Sequence, residues 1–458
     1  MSLDPSATSS ASSDAPRGER TQAAYRRARQ ILPGGTQLLS KRPEMYAPGR
    51  WPAYYAEARG TEVVDLDGKR YRDMSSMGIG SCLLGYADPD VTAAVVDRVE
   101  RGSMCSLNNV EELELAELLL SIHPWAEQAR FCRTGGESMA VAVRLARASR
   151  RRDRVAFCGY HGWSDWYLAA NLPREEEAEN DPLDGHLLPG LPPLGVPAGL
   201  AGTALPFAYN RLDELERIVS RYGDELAAVV MEPVRHDEPA PGFLAGAREL
   251  CDACGAALVF DEITSGWRMT LGGAHLKYGV TPDVAVFAKA LGSGHPIAAI
   301  IGVRGVMDAA QDTFVSSTYW TEGVGYAAAL ATIRKMMRVD VPGQVATIGK
   351  AFRAACHELA EKHGVPLRLV GFPALQSWRF EHEDAAALAT LLTTRMLDRG
   401  FLVGVGFYPT LAHDKQHVAE FRDAADDVFA ELGEAARRGD AASRLDGPAR
   451  HTGFARLT

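Results

Sequence analysis

Between about residues 89 and 311, short apolar runs alternate with helical patterns, and that alternation leaves few folds open. The runs are ARFC (129–132), RVAFC (154–158), LAAVVM (226–231), ALVF (257–260), DVAVF (283–287) and IAAIIG (297–302). Each is apolar at consecutive positions rather than at alternate ones. Strands covered on both faces read this way, because neither face meets water. Helical periodicity fills most of the gaps, as crossovers between parallel strands require. The expected fold is α/β, a large domain built on a mostly parallel sheet.

The flanks differ in texture. Residues 1–20 are rich in Ser, Ala and Pro and carry no apolar stretch, so they read as a disordered tail rather than a signal peptide. A helical segment over 20–31 stops at Pro33-Gly34-Gly35. In TEVVDLDGKRYRDMS, two strands flank Asp67-Gly68, which predicts a hairpin with a two-residue turn. Residues 171–208 are rich in Pro, Gly and acidic residues, and they predict a long loop near a site mouth. A long helix is expected over 322–338. Beyond Val341-Pro342 the order becomes helix, strand, strand, helix, strand, helix: 343–363, 367–370, 376–380, 384–399, 401–405 and 414–437. This predicts a tail (1–20), an N-terminal segment (21–60) packed with the smaller domain, a large domain (61–325) and a small α+β domain (326–458).

Charge and cysteine content narrow the function classes. The net charge of -10 is spread along the chain, which argues against nucleic acid as a partner. Seven cysteines without framework spacing suggest reduced thiols and an intracellular protein, with the cytoplasm as the default location. Cys251 and Cys254 form a CxxC inside the helical stretch GFLAGARELCDACG. A redox pair favours a helix N-terminus and a zinc site needs a second pair, so the pair reads as core packing and no metal is expected. No apolar run reaches the roughly 20 residues that span a bilayer.

Four features carry chemistry. The run Phe131-Cys132-Arg133-Thr134-Gly135-Gly136-Glu137 passes from a strand through a Gly-rich turn into a helix. Such a turn offers backbone N–H groups and a helix dipole to an anion, although an ordinary βα turn looks the same. Cys158-Gly159-Tyr160-His161-Gly162-Trp163 follows another strand and offers an aromatic that can cover a planar ring. Taken alone, Tyr160 or His161 reads equally well as core. Asp261 ends the run Val259-Phe260-Asp261-Glu262-Ile263, where ligands of open α/β sheets bind. A carboxylate there can pair with a protonated ring nitrogen, or simply cap a helix. Lys289 follows the strand DVAVF among apolar neighbours. A lysine there is costly to bury unless it is paired or modified, and a depressed pKa makes it a Schiff-base nucleophile and a general base.

In that order the features resemble the class III aminotransferases, fold type I enzymes that use pyridoxal 5'-phosphate, and above all the glutamate-1-semialdehyde 2,1-aminomutase group. The pieces that carry the likeness are ILPGGT, VVDLDGKRYRDM, LGYADPDV, RTGGESMAVAVRLARA, GYHGW, VVMEPV, ALVFDEITSGWR, YGVTPDVAVFAKALGSGHP and SSTYWTEG. The resemblance implies that Lys289 holds the cofactor as a Schiff base and that Asp261 meets its pyridine nitrogen. Ile263 and Tyr160 fall where the two ring faces are covered. Thr134, Gly135 and Gly136 fall on the phosphate cradle, and Glu137 and Glu232 on acidic positions near the cofactor. Thr318 falls on a threonine that reaches the phosphate from a neighbouring subunit, which implies a homodimer with shared active sites.

The departures concern the substrate side. Gly136 stands where the family commonly has Thr. STYWTEG replaces a GTLSGNP-like segment, and TQLLSKR follows the PGG motif. Candidate substrate residues are therefore Trp163, His295, Tyr319 and Trp320, with Lys41 a guess for a carboxylate contact. The aromatics suggest a broad pocket, and they serve as well for packing. The expected function is an aminotransferase moving an amino group between an amino donor and a carbonyl metabolite. The alternatives are an aminomutase or epimerase using the same cofactor, and a non-catalytic binding protein on this fold.

Overall fold

The computed structural model describes residues 18–173, 192–234, 237–404 and 406–452. The segment predicted as a long loop lies partly outside them, as does most of the predicted tail. The chain forms two compact units, one of residues 1–79, 85–87 and 345–458, the other of residues 80–84 and 88–344.

The first unit begins with helix α1 (Arg20–Ile31) and strands β1 (Tyr55–Arg59), β2 (Glu62–Asp65) and β3 (Arg70–Asp73). The predicted hairpin is β2–β3, but its turn is longer than two residues. Asp65 turns its carboxylate onto the N–H groups of Asp67 and Lys69, both at 2.9 Å, and holds a four-residue loop. β1 carries no apolar alternation and was not expected.

The second unit contains α2 (Pro89–Glu100), α3 (Val110–Ile122), β4 (Gln128–Cys132), α4 (Gly135–Arg150), β5 (Arg154–Cys158), β6 (Ala204–Pro206), β7 (Leu226–Met231), β8 (Ala257–Asp261), β9 (Val284–Phe287) and β10 (Ala298–Gly302). Its seven strands run in the order β4-β10-β9-β8-β7-β5-β6. All neighbours are parallel except β10, which is antiparallel to both β4 and β9. β6 is three residues long and sits within the predicted loop, too short for a pattern to show.

Consecutive apolar residues serve opposite faces of this sheet. Val155, Phe157, Val230, Val259 and Val286 pack with the inner face of α4. Ala156, Val229, Met231, Leu258 and Phe260 pack with the helices at 212–222 and 243–254. All six residues of β7 are fully buried, and each large one contributes about 1.5–3 kcal/mol of burial. Cys251 and Cys254 lie on helix 243–254, where burial pushes the Cys251 thiol well above its usual range. Among the described residues no cluster could hold a metal ion.

The C-terminal part of the first unit adds β11 (Leu367–Phe372), β12 (Leu375–Phe380), β13 (Phe401–Leu402) and β14 (Gly406–Phe407). Helices 341–363, 385–398 and 415–438 accompany them around Phe352, Phe407 and Phe421. The unit boundaries fall near 88 and 344 rather than at 61 and 325. The hairpin belongs to the first unit because β3 pairs in parallel with β13, Arg72 opposite Phe401. Helix 323–338 stays with the second unit because it packs along α2 and its Lys335 ammonium lies 2.6 Å from Asp88.

Candidate active site

Parallel strands bring their carboxyl ends to one edge of a sheet, so residues far apart in sequence meet there. At this edge β4 leads into Arg133–Gly136, β5 into Gly159–Trp163, β7 into Glu232, β8 into Asp261–Thr264 and β9 into Ala288–Lys289.

The turn after β4 is a well-capped helix start. The Thr134 hydroxyl accepts from the Glu137 N–H at 3.4 Å, while the Glu137 carboxylate accepts from the N–H groups of Arg133 and Thr134. This capping box leaves the N–H groups of Gly135 and Gly136 at the head of a 16-residue helix without intrahelical partners. The glycines also allow close approach. A Cβ on Gly135 would meet Ile263 at 2.9 Å, and one on Gly162 would meet Gly136 Cα at 2.9 Å. The Trp163 indole lies beside Gly136, its Nε1 3.4 Å from where a Cβ would stand, an ordinary van der Waals distance.

Past β5, Gly159 has φ +114 and a Cβ there would come within 2.7 Å of the Glu232 carboxylate. Glu232 is buried and accepts from the Tyr160 N–H at 3.3 Å. The Tyr160 ring itself is exposed.

Asp261 is buried at the end of β8. One carboxylate oxygen accepts from the Ile263 N–H at 3.0 Å, and the other lies 2.8 Å from His161 Nδ1. His161 Nε2 is 3.1 Å from the Cys158 carbonyl. A carbonyl only accepts, so Nε2 carries a proton. His161 is thus a direct partner of Asp261. The sequence offered it only as part of GYHGW, with no way to choose its partner.

Glu262 points the other way, into a fully buried network. Its carboxylate accepts from His275 Nδ1 at 2.9 Å and from the Ser265 hydroxyl at 2.6 Å. Burial raises its pKa, but the hydrogen bonds outweigh that and hold the carboxyl below its usual range. Trp125 Nε1 donates to His275, and His123 packs beside it with its pKa pushed down to about 4 by burial.

Lys289 is half-buried and adopts φ +41, a left-handed conformation that a lysine rarely takes. Its Nζ donates to the Thr264 hydroxyl at 2.6 Å. His295 is half-buried in the turn that follows, where burial lowers its pKa while Glu322 raises it. Thr318, Tyr319 and Trp320 lie in one short turn. Trp320 Nε1 donates to Glu137 at 2.9 Å, tying this turn to the head of α4, whereas Thr318 and Tyr319 are exposed. Arg133 fastens the turn by donating to the carbonyls of Tyr319, Trp320 and Glu322. Lys41 belongs to the first unit and stands near the buried Asp73, whose carboxyl burial raises to about 6.

An open α/β sheet with a basic, an acidic and an anion-binding strand end defines a site for a charged, phosphorylated ligand. The chain belongs to the class III aminotransferase family, whose description matches residues 45–429. It is 31% identical to a 3-aminobutyryl-CoA aminotransferase of Cloacimonas acidaminovorans, over 82% of this chain and 86% of that one. It is 33% identical to a glutamate-1-semialdehyde 2,1-aminomutase of Roseiflexus castenholzii, over 92% of this chain and 99% of that one. Among solved structures, the pyridoxal phosphate internal aldimine form of the FumI protein of Sphingopyxis sp. MTA144 superposes with a TM-score of 0.81 at 25% identity, covering 91% of this chain and 97% of that one. The protein is therefore a pyridoxal 5'-phosphate enzyme of the fold type I, aminotransferase kind.

Proposed function

We propose that this enzyme is a transaminase in which Lys289 holds the cofactor covalently and moves the proton of the reaction. The observation that carries the reading is that Lys289 after β9, Asp261 at the end of the adjacent β8 and the 134–136 turn after β4 lie at one edge of the sheet, with Gly135 of that turn close against Ile263. The residues fit the cofactor: two open N–H groups and a helix dipole for its phosphate, Ile263 against the cradle, and a buried carboxylate held by Ile263 and His161. When bound, pyridoxal 5'-phosphate supplies an electron sink for the carbon that bears the amino group.

Each residue then has a task. Gly135 and Gly136 hold the phosphate through backbone N–H groups, with Thr134 capping their helix. Asp261 keeps the ring nitrogen protonated. Ile263 and Tyr160 cover the ring, Glu232 orients the Tyr160 backbone, and Lys289 Nζ takes up and returns the substrate proton. Trp163, His295, Tyr319 and Trp320 line the approach for the amino donor and the carbonyl acceptor.

We extend the reading to a homodimer with shared sites, in which Thr318 reaches the partner's phosphate. The exposed apolar side chains of Leu107, Phe314 and Tyr319, 80%, 85% and 68% accessible, support an apolar interface around that turn. Seven free cysteines agree with a reducing, cytoplasmic setting. The described residues include no helix long and apolar enough to cross a membrane.

The test is a half-reaction screen. Amine donors are added singly, and the visible band of the lysine-bound cofactor is followed. At least one donor should bleach it and release a carbonyl product. The aminomutase reading draws on the relative at 33% identity. It predicts instead that isotopic label stays on one substrate and that no free donor bleaches the band.

A further inference from the structure

We infer that Thr264 is the positioning residue of the reacting lysine, and that its hydroxyl holds Lys289 Nζ whenever the amine is free. This rests on the assignment of Lys289 above.

A lysine side chain has four flexible bonds, and a free amine must be aimed before it can move a proton. The geometry fixes both partners. At 2.6 Å the contact is a close hydrogen bond. Lys289 begins a tight 289–292 turn from its left-handed conformation, which sets the direction of its side chain. Thr264 is fixed through its own backbone. Its carbonyl accepts from Arg268 Nε at 2.9 Å, and Arg268 is buried and donates also to the Gly80 carbonyl. Asp261 grips the same turn through the Ile263 N–H. One turn therefore carries both the carboxylate and the hydroxyl that meets the lysine.

The chemistry of the hydroxyl matters. A carboxylate at this distance would trap Nζ as an ammonium ion. A hydroxyl accepts from the amine and from the ammonium alike, so it aims the nitrogen without locking its charge. It still favours the charged form, because that donor is stronger. The titratable and charged groups on the surrounding strand ends and turn include Asp261, Glu232, His161 and Arg268, and a substitution at Thr264 leaves these residues unchanged.

The test uses Thr264→Val, Thr264→Ser and Thr264→Ala. In cofactor-free protein, the pH dependence of Lys289 acetylation by acetic anhydride, read by mass spectrometry, reports when the amine loses its proton. Thr264→Val should shift that midpoint to lower pH, and Thr264→Ser should restore it. In the loaded enzyme, Thr264→Val should slow the amine half-reaction by tenfold to a hundredfold, on the order of what a misplaced reacting group costs, with KM little changed. Should the valine variant fail to fold, the alanine variant is read in the same way. A wild-type midpoint and rate in the valine variant, or a serine variant as slow as valine, overturns the inference. Lys289→Ala separates it from the site assignment. If that variant keeps the lysine-bound band, the assignment itself falls. If it loses the band while the Thr264 variants behave as wild type, only the role of Thr264 falls.

Discussion

The strand ends and the 314–321 segment belong to the same unit, yet they satisfy their groups in opposite ways. At the strand ends the side chains are bonded to one another, Asp261 to His161 and Glu262 to His275 and Ser265 in buried pairs, and the half-buried Lys289 to Thr264. In the 314–321 segment the backbone is held and the side chains are offered. Arg144 donates to the Phe314 carbonyl, Arg130 to Val315, and Arg133 to Tyr319 and Trp320, while Phe314, Thr318 and Tyr319 face outward. A segment made rigid through its carbonyls and left apolar outside is prepared to meet a second surface. The difference teaches that the strand ends satisfy their side chains within the chain, whereas the 314–321 segment satisfies its backbone and leaves apolar side chains exposed, as the proposed shared site would require.

The largest effect should come from the reacting centre. On the proposed assignment Lys289→Ala removes both the covalent anchor and the proton carrier, so turnover should fall by at least about four orders of magnitude. The lysine-bound band should disappear while the circular dichroism spectrum is kept. Asp261→Asn should come next, with a loss on the order of a hundredfold to a thousandfold in kcat, the scale of a preorganised charge removed. His161→Leu should reproduce part of that loss, because it acts only through Asp261. Equal losses in the two variants would show that His161 touches the chemistry itself.

The offered segment should behave differently in mixtures. Thr318→Ala should weaken cofactor retention by about tenfold, the worth of one hydrogen bond to a charged group. If Thr318 serves the partner, mixing Lys289→Ala subunits with Thr318→Ala subunits places an intact pair of groups in some hybrids. Activity should then rise above the mean of the two parents, because in a random one-to-one mixture about one quarter of all sites pair an intact Lys289 with an intact Thr318. Mixtures no more active than the mean of the parents would make both regions serve their own chain, and the contrast between them would disappear.

The two regions also differed in how far the sequence revealed them. Strands β4, β5, β7, β8, β9 and β10 were legible within about a residue, because burial on both faces writes consecutive apolar residues. The strand-end residues stood out by their places directly after these runs, and their proposed roles came from the resemblance to the family. The partners of those residues did not follow. That His161 meets Asp261 and Thr264 meets Lys289 depends on turn geometry over separations of 100 and 25 residues, which no local pattern encodes. The hairpin was legible but its domain was not, because only the β3–β13 pairing assigns it. Gly136 was legible only as a departure. Its neighbour in the structure, the Trp163 indole, comes from another loop.

The smallest effect concerns stability, and it tests whether the strand ends are braced from behind. His123 is buried beside the Glu262–His275 network with its pKa pushed down to about 4. An unfolded histidine titrates near 6.5. Between those two values the unfolded chain binds a proton that the folded one refuses, so stability should fall as the pH drops through this window and level off below about 4. A gap of this size corresponds to about 3 kcal/mol. His413 in the other unit is likewise pushed down to about 4 and adds to the same window. Chemical denaturation at pH 7 and at pH 4.5 should show that His123→Gln loses less stability between the two than the parent, the raised carboxyl of Asp73 acting in the opposite direction in both proteins. The 314–321 segment carries no histidine, so its substitutions should leave the acid profile unchanged. An acid profile that changes with Thr318→Ala but not with His123→Gln would place the brace at the offered segment instead of behind the strand ends.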